Sequence, residues 1–321
     1  MIKTDHLTRD YGNGRGIFDL TMEIPAGQIF GFIGPNGAGK TTTIKLLCGL
    51  YQPTSGQAFI NGIPVDRRHL RDVKRAIGYM PDHMGSYEQM SVWEYLDFFC
   101  AAYRVPARQR KARIDEVLQL TAATYMLDYQ VDSLSQGMGK RVALAKTLLH
   151  NPPVLILDEP ASGLDPRARI EMRETIMRLR ELGKTILLSS HILPELSSVC
   201  DLIGVVEKGR LRAFGTVRDM LASMREHIVL RVRVATGYVE RAAAGCRGQP
   251  HVQDVVVEGD EVRVHYIGPR TEIAGLNRHL VEQGVAVAEF TEEQGDLEDA
   301  FLHVTREADE AEQAKGGTSP S

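Results

Sequence analysis

Between Phe18 and Ile24 the apolar residues Phe18, Leu20, Met22 and Ile24 alternate with Asp19, Thr21 and Glu23. A period of two predicts a half-buried strand at an antiparallel edge, and Pro25-Ala26-Gly27 turns the chain after it. Gln28 to Ile33 is more uniformly apolar and predicts a second strand, which runs into GPNGAGKTTT and then a helix carrying Ile44, Leu47 and Leu50. Ala58-Phe59-Ile60 and Ile63-Pro64-Val65 flank Asn61-Gly62, a two-residue hairpin signal. Ala76 to Met80 predicts another short strand, stopped by Pro81 and Asp82. Helical periodicity then dominates from Ser91 to about Leu149. It is opened by a capping box of Ser91 and Glu94 and places Trp93, Leu96, Cys100 and Tyr103 on one face.

VLIL (Val154 to Leu157) and TILL (Thr185 to Leu188) are wholly apolar and bounded by turns, the pattern of buried parallel strands. The amphipathic stretch Pro166 to Leu182 lies between them. A right-handed crossover through that helix makes the body an α/β sheet with a helical insertion at about 83–149. From about His227 the texture changes. Strands at Val229 to Val234, Val252 to Val257, Glu261 to Ile267 and Val285 to Phe290, with helices at Val239 to Gly245 and Glu272 to Gln283, give the order β-α-β-β-α-β of a small α+β ferredoxin-like domain. The expected domains are therefore 1–225 and 226–307, followed by a charged, then small and polar tail, 308–321, expected to be disordered.

Composition narrows the function. With 43% hydrophobic and 25% charged residues over 321 positions, the chain is globular. Its formal charge of -4 argues against nucleic acid as a partner, and the basic run Arg104 to Arg113 reads as a solvated helix face. The four cysteines lack CxxC spacing, so no disulfide framework or zinc site is indicated and a reducing, cytoplasmic setting fits. The N-terminus lacks a signal-peptide core, and no apolar run reaches the roughly 18 residues that span a bilayer. Work at a membrane would need another chain to cross it.

The candidate chemistry is concentrated at strand ends. Gly34-Pro35-Asn36-Gly37-Ala38-Gly39-Lys40-Thr41 fits G-x-x-x-x-G-K-[ST] between a strand and a helix. Glycines there let successive backbone N–H groups converge on phosphate oxygens, and the helix adds the positive end of its dipole. Lys40 would neutralise the outer phosphates and Thr41 would ligate magnesium. Leu155 to Leu157 ends in Asp158 and Glu159, and ligands bind at the ends of parallel strands. Asp158 suits a metal held through water and Glu159 suits the base for an attacking water; mere helix capping is the competing reading. His191 follows TILL at the same sheet edge, where it would donate to a γ-phosphate.

These residues, with LSQGMGKR (Leu134 to Arg141), resemble the nucleotide-binding subunit of ATP-binding cassette (ABC) transporters over roughly residues 1–225. The resemblance implies a RecA-like P-loop NTPase core with an antiparallel β subdomain and an inserted helical subdomain. Gly34 to Thr42 match the Walker A motif, so that Gly34, Asn36, Gly37, Ala38, Gly39, Lys40, Thr41 and Thr42 would bind ATP. Leu155 to Glu159 match Walker B, Ser162 to Asp165 the D-loop with its Asp165, and His191 the switch histidine. Tyr11 falls where the family stacks an aromatic on adenine, with a surface or packed tyrosine as the alternative. LSQGM matches the signature LSGGQ at Leu134, Ser135 and Gly137 but carries Gln136 for glycine and Met138 for glutamine. Ser135, Gln136 and Gly137 would then bind the ATP of a partner cassette at the start of a helix placed at Lys140 to Leu149.

The resemblance further implies a Mg2+-dependent ATPase that dimerises, as a homodimer if one chain type supplies both halves. It would power a separate transmembrane permease from the cytoplasmic face of the membrane. Val285 to Thr305 resembles the closing segment of ATPase subunits of drug, polysaccharide or ion exporters. A soluble ABC ATPase acting on ribosomes or DNA, and a regulatory module that binds ATP without turnover, are the rival readings. The position of Asp82 normally holds glutamine in the family, reaching the magnesium and the attacking water ahead of a loop that faces the permease. Asp82 is accordingly expected on the metal, directly or through water, with a turn or cap as the alternative.

Overall fold

The computed structural model describes residues 1–83, 85, 89–220 and 227–293. The expected disordered tail, the closing segment beyond 293 and most of the loop after Asp82 lie outside them. The chain forms two compact units, Met1–Thr216 and Val217–Ser321, dividing nine residues before the expected boundary.

The first unit holds two sheets. An antiparallel sheet has the order β2-β1-β4-β5, from β1 (Ile2–Gly12), β2 (Arg15–Ile24), β4 (Ser55–Ile60) and β5 (Ile63–Pro64). The alternating strand is indeed an edge. The larger sheet has the order β10-β9-β3-β8-β7-β6, from β3 (Ile29–Ile33), β6 (Ile77–Met80), β7 (Val154–Asp158), β8 (Thr185–Ser190), β9 (Leu202–Glu207) and β10 (Arg210–Thr216). Five strands run parallel and β10 closes the edge antiparallel to β9. Both β3 and β7 are buried at every position, which is why they read as unbroken apolar runs. Side chains from both sheets, such as Ile2, Leu20, Phe30, Ile156 and Leu187, share one core with Ile44 of the helix after β3. Each such burial contributes roughly 1.5–3 kcal/mol.

Helix α1 (Lys40–Leu47) follows β3, and α2 (Leu70–Ala76) precedes β6. Leu50 lies beyond α1 and is exposed, because Gly49 at φ 65° ends the helix. Between β6 and β7 come α3 (Val92–Ala102), α4 (Ala107–Leu120) and α5 (Gln136–Leu148). The Ser91–Glu94 capping box forms as expected, and it fixes the phase of α3. The buried face is Val92, Tyr95, Leu96 and Cys100, while Trp93 and Tyr103 are half-buried. Helix α6 (Pro166–Glu181) joins β7 to β8, and the short α7 (Leu193–Ser197) leads toward β9.

In the second unit, β11 (His227–Val234), α8 (Val239–Cys246), β12 (Val252–Glu258), β13 (Glu261–Ile267), α9 (Ile273–Glu282) and β14 (Val287–Glu293) follow the predicted order. Its sheet, β12-β13-β11-β14, is antiparallel throughout. That is the split β-α-β arrangement of ferredoxin-like folds. Its core of Leu230, Val232, Val264, Ala243 and Leu280 is its own.

Candidate functional site

Three neighbouring strand ends build the site. Ile33 of β3 pairs with Ser190 of β8, and Ser189 of β8 with Asp158 of β7, so the segments that follow leave the sheet side by side. From β3 the chain enters the loop 34–39. A Cβ on Gly34 would fall inside 3.0 Å of the Val206 carbonyl oxygen, and Gly37 and Gly39 sit at φ 84° and 110°. Only glycine adopts these conformations without strain. Gly39 is the N-cap of α1, and among the described residues no side chain caps it. The first N–H groups of α1 therefore lack intrahelical and side-chain partners and point out of the helix, a built anion cradle. Asn36, Ala38 and Thr42 lie in this loop and first turn; the Ala38 amide donates to the Pro35 carbonyl at 3.2 Å and its carbonyl accepts from the Gly209 amide.

Lys40 is buried and its ammonium donates to the Gly34 carbonyl at 2.7 Å and the Pro35 carbonyl at 3.4 Å, 3.6 Å from Glu159 Oε1. Thr41 Oγ1 donates to Asp158 Oδ2 at 3.1 Å, and Ser189 Oγ donates to Asp158 Oδ1 at 2.6 Å. Two hydroxyls thus compensate a carboxylate that is only 3% exposed. The arrangement is one of hard oxygen donors, the set that suits magnesium. Among the described residues there is no cluster of three or more His, Cys, Asp or Glu that could hold a metal.

Glu159 stands next to Asp158 at φ 49°, a left-handed conformation that costs a non-glycine residue about 1–3 kcal/mol and is retained where the surroundings impose it. Its amide donates to Ser189 Oγ at 3.0 Å. Its Oε2 lies 3.0 Å from His191 Nδ1, on a histidine that is half exposed. The predicted Lys40, Thr41, Asp158, Glu159 and His191 are therefore brought together. Ser189 escaped the sequence reading; its signal was its place two residues before His191 at the end of an apolar strand.

Other expected residues are placed differently. Helix α5 begins at Gln136, four residues earlier than predicted, with Ser135 as its N-cap accepting from the Met138 amide at 3.4 Å. Gly137 falls in the first turn. Gln136, the departure from the signature, contacts the D-loop: its Nε2 donates to the Ser162 carbonyl at 3.5 Å, and a Cβ on Gly163 would collide with it. Asp165 caps α6, accepting from the Ala168 amide at 2.9 Å. Tyr11 is exposed at the end of β1, with the Arg9 guanidinium 5.0 Å from its ring centroid and Tyr51 edge-on at 6.4 Å.

Asp82 stands against helix α5. Its Oδ1 lies 3.0 Å from Lys140 Nζ and its Oδ2 3.4 Å from His83 Nε2, so the carboxylate expected on a metal is paired here with a buried ammonium. The physical reason is charge: a lysine buried on α5 needs an anion, and Asp82 supplies it.

Comparison with known proteins gives the family of the chain. The ABC transporter family profile matches residues 17–162. The bacitracin transport ATP-binding protein BcrA of Bacillus licheniformis is 33% identical over 305 residues, covering 94% of this chain and 96% of its own length. The Nod factor export ATP-binding protein I of Rhizobium meliloti is 32% identical over 304 residues, covering 93% and 86%. Among solved structures, CbiO1 from Clostridium perfringens, described as part of the ABC transporter complex cbiONQ, superposes with a TM-score of 0.63 at 29% identity, covering 69% of this chain and 90% of that one. Near full-length likeness to such subunits, on a fold whose strand ends bring a glycine-rich loop, a carboxylate pair and a histidine together, makes this chain an ATP-binding protein of the ABC transporter family, an ATPase cassette.

Proposed function

We propose that this chain hydrolyses ATP at the loop 34–42 with Glu159 as general base, and that two copies close head to tail on two nucleotides to drive export through a separate permease. The observation that carries the hydrolytic assignment is the Glu159 carboxylate, fixed at a strand end between Lys40 Nζ and His191 Nδ1. Lys40 would exchange its loop carbonyls for the outer phosphates, and the N–H groups of residues 37–42 would hold phosphate oxygens. Thr41 directly, and Asp158 through water, would hold Mg2+, which supplies charge neutralisation on the transferring phosphoryl group. Glu159 would accept the proton of the attacking water. His191 turns Nδ1 to Glu159, so Nε2 is left for the phosphoryl oxygens. Tyr11 would stack on the adenine, contributing about 1–3 kcal/mol as base–aromatic stacking does.

The family likeness supports a dimer and a permease partner. Ser135 and Gly137 start a second helix terminus, α5, that would meet the partner's ATP. Among the described residues no helix is long and apolar enough to cross a membrane, so a permease would supply the crossing and hold this chain at the cytoplasmic face. Relatives named for bacitracin transport and Nod factor export support export as the direction.

The test is Glu159→Gln. Loss of a general base lowers kcat about 10²–10⁴-fold, while ATP binding persists. Wild-type turnover no higher than that of the variant would leave a non-hydrolysing regulatory module instead. Isolation from membranes with a multi-helix partner tests the permease.

A further inference from the structure

Lys140, on the first turns of α5, is 6% exposed and is bonded at all three of its protons. Its ammonium donates to the Asp82 carbonyl at 2.7 Å, to Asp82 Oδ1 at 3.0 Å and to the Glu159 carbonyl at 2.8 Å. Those acceptors belong to two neighbouring strand ends. Met80 of β6 pairs with Leu157 of β7, so Asp82 and Glu159 each stand two residues past a paired position. One cation thus ties together the start of α5, the exit from β6 into the helical insertion, and the backbone of the strained Glu159.

That strain gives the contact its meaning. A glutamate at φ 49° stays there only if its peptide groups are held on both sides. The Ser189 hydroxyl holds the Glu159 amide and Lys140 holds its carbonyl. We infer that Lys140 is a positioning residue for Glu159, with Asp82 as its counter-ion, so that the orientation of the carboxylate depends on where the helical insertion lies. The inference rests on Glu159 acting as the base. It also accounts for the carboxylate at position 82: a neutral side chain there would leave a buried ammonium without an anion, and a buried charge stripped of its partner is costly. When α5 or the β6 exit shifts, the bonds of Lys140 lengthen and Glu159 loses its restraint.

The test uses the full-length chain and reads kcat and ATP affinity separately. Lys140→Met should lower kcat at least about tenfold, a change of about 1.4 kcal/mol in barrier, with the Kd for a fluorescent ATP analogue within about twofold of wild type. Lys140→Arg, which keeps the charge and donors, should recover most of the rate. Asp82→Asn should lower kcat in the same sense, and the pair Lys140→Met with Asp82→Asn should be no slower than Lys140→Met alone, because Asp82 acts through Lys140. A Lys140→Met rate within about twofold of wild type, or strictly additive effects, overturns the inference. If Lys140→Met does not fold, Asp82→Asn decides: an unchanged kcat overturns it, and a reduced kcat at unchanged Kd supports it. Glu159→Gln separates the two assignments. If that variant keeps its turnover, the base is wrong; if it is inactive while Lys140→Met is normal, only the positioning role fails.

Discussion

Replacing Gly39 by alanine tests the phosphate loop directly, because two independent costs meet at that residue. Its φ of 110° lies outside the region any L-residue adopts easily, and a Cβ there would stand 2.7 Å from Ile17 Cγ2. That methyl cannot swing away, since Ile17 is fully buried and branched at Cβ. Gly37 provides the comparison. At φ 84° it shares the conformational cost, but a Cβ there would meet nothing within 4 Å. The left-handed term is about 1–2 kcal/mol for either residue, and overpacking adds about 1–3 kcal/mol at Gly39 alone. If the loop holds its shape, the extra cost appears as a melting temperature lower by about 2–4 °C per kcal/mol for a domain of this size. If the loop relaxes instead, it appears in ATP affinity, at tenfold per 1.4 kcal/mol. Thermal melting and titration with a fluorescent ATP analogue together capture both routes. Gly39→Ala should exceed Gly37→Ala by about 1–3 kcal/mol in the combined measure. Equal effects for the two variants would refute the close packing of the loop on β2 inferred here.

Two more predictions concern titratable groups away from the site. His150 donates from Nε2 to the Ile77 carbonyl at 2.9 Å and stacks near Tyr103; burial pushes its imidazole below the usual range, against the opposing pull of that hydrogen bond. As the pH falls, the unfolded chain therefore takes up the proton first, and stability present above about pH 6.5 is lost below it. Wild type should lose more melting temperature than His150→Gln between about pH 7.5 and about pH 5.5; parallel profiles would exclude the effect. The four cysteines are buried, and burial pushes the Cys100 and Cys246 thiols up to about 11 and those of Cys48 and Cys200 higher still. A thiol reagent should modify fewer than about one cysteine per folded chain and all of them on denaturation; fast reaction of the native protein would contradict the burial.

Much of the site was legible because its signals are local. The phosphate loop announces itself through glycine spacing between a strand and a helix, and the carboxylate pair and His191 through their place at the ends of apolar runs. Strand β1 is hidden in the sequence, because bulges at Thr4/Leu7 and Leu7/Arg9 and a positive φ at His6 break its period of two. The β9–β10 hairpin has one local signal, Lys208-Gly209 at its turn, with both residues at positive φ. Helix α5 was started too late, since its first turn is built of Gln136, Gly137, Met138 and Gly139, which carry no helical period.

The sequence by itself determined the phosphate loop and most of the alternating strands and helices, because each depends on residues a few positions apart, and the family resemblance carried the chemistry. The tertiary structure alone decided which partner Asp82 meets. Its partner Lys140 is 58 residues away, and the two meet only because β6 pairs with β7 in one register and α5 packs its lysine between their ends. A buried ammonium must find an anion wherever the fold provides one. Local pattern cannot reveal that match, since it arises from the pairing of distant segments rather than from either segment's own propensity.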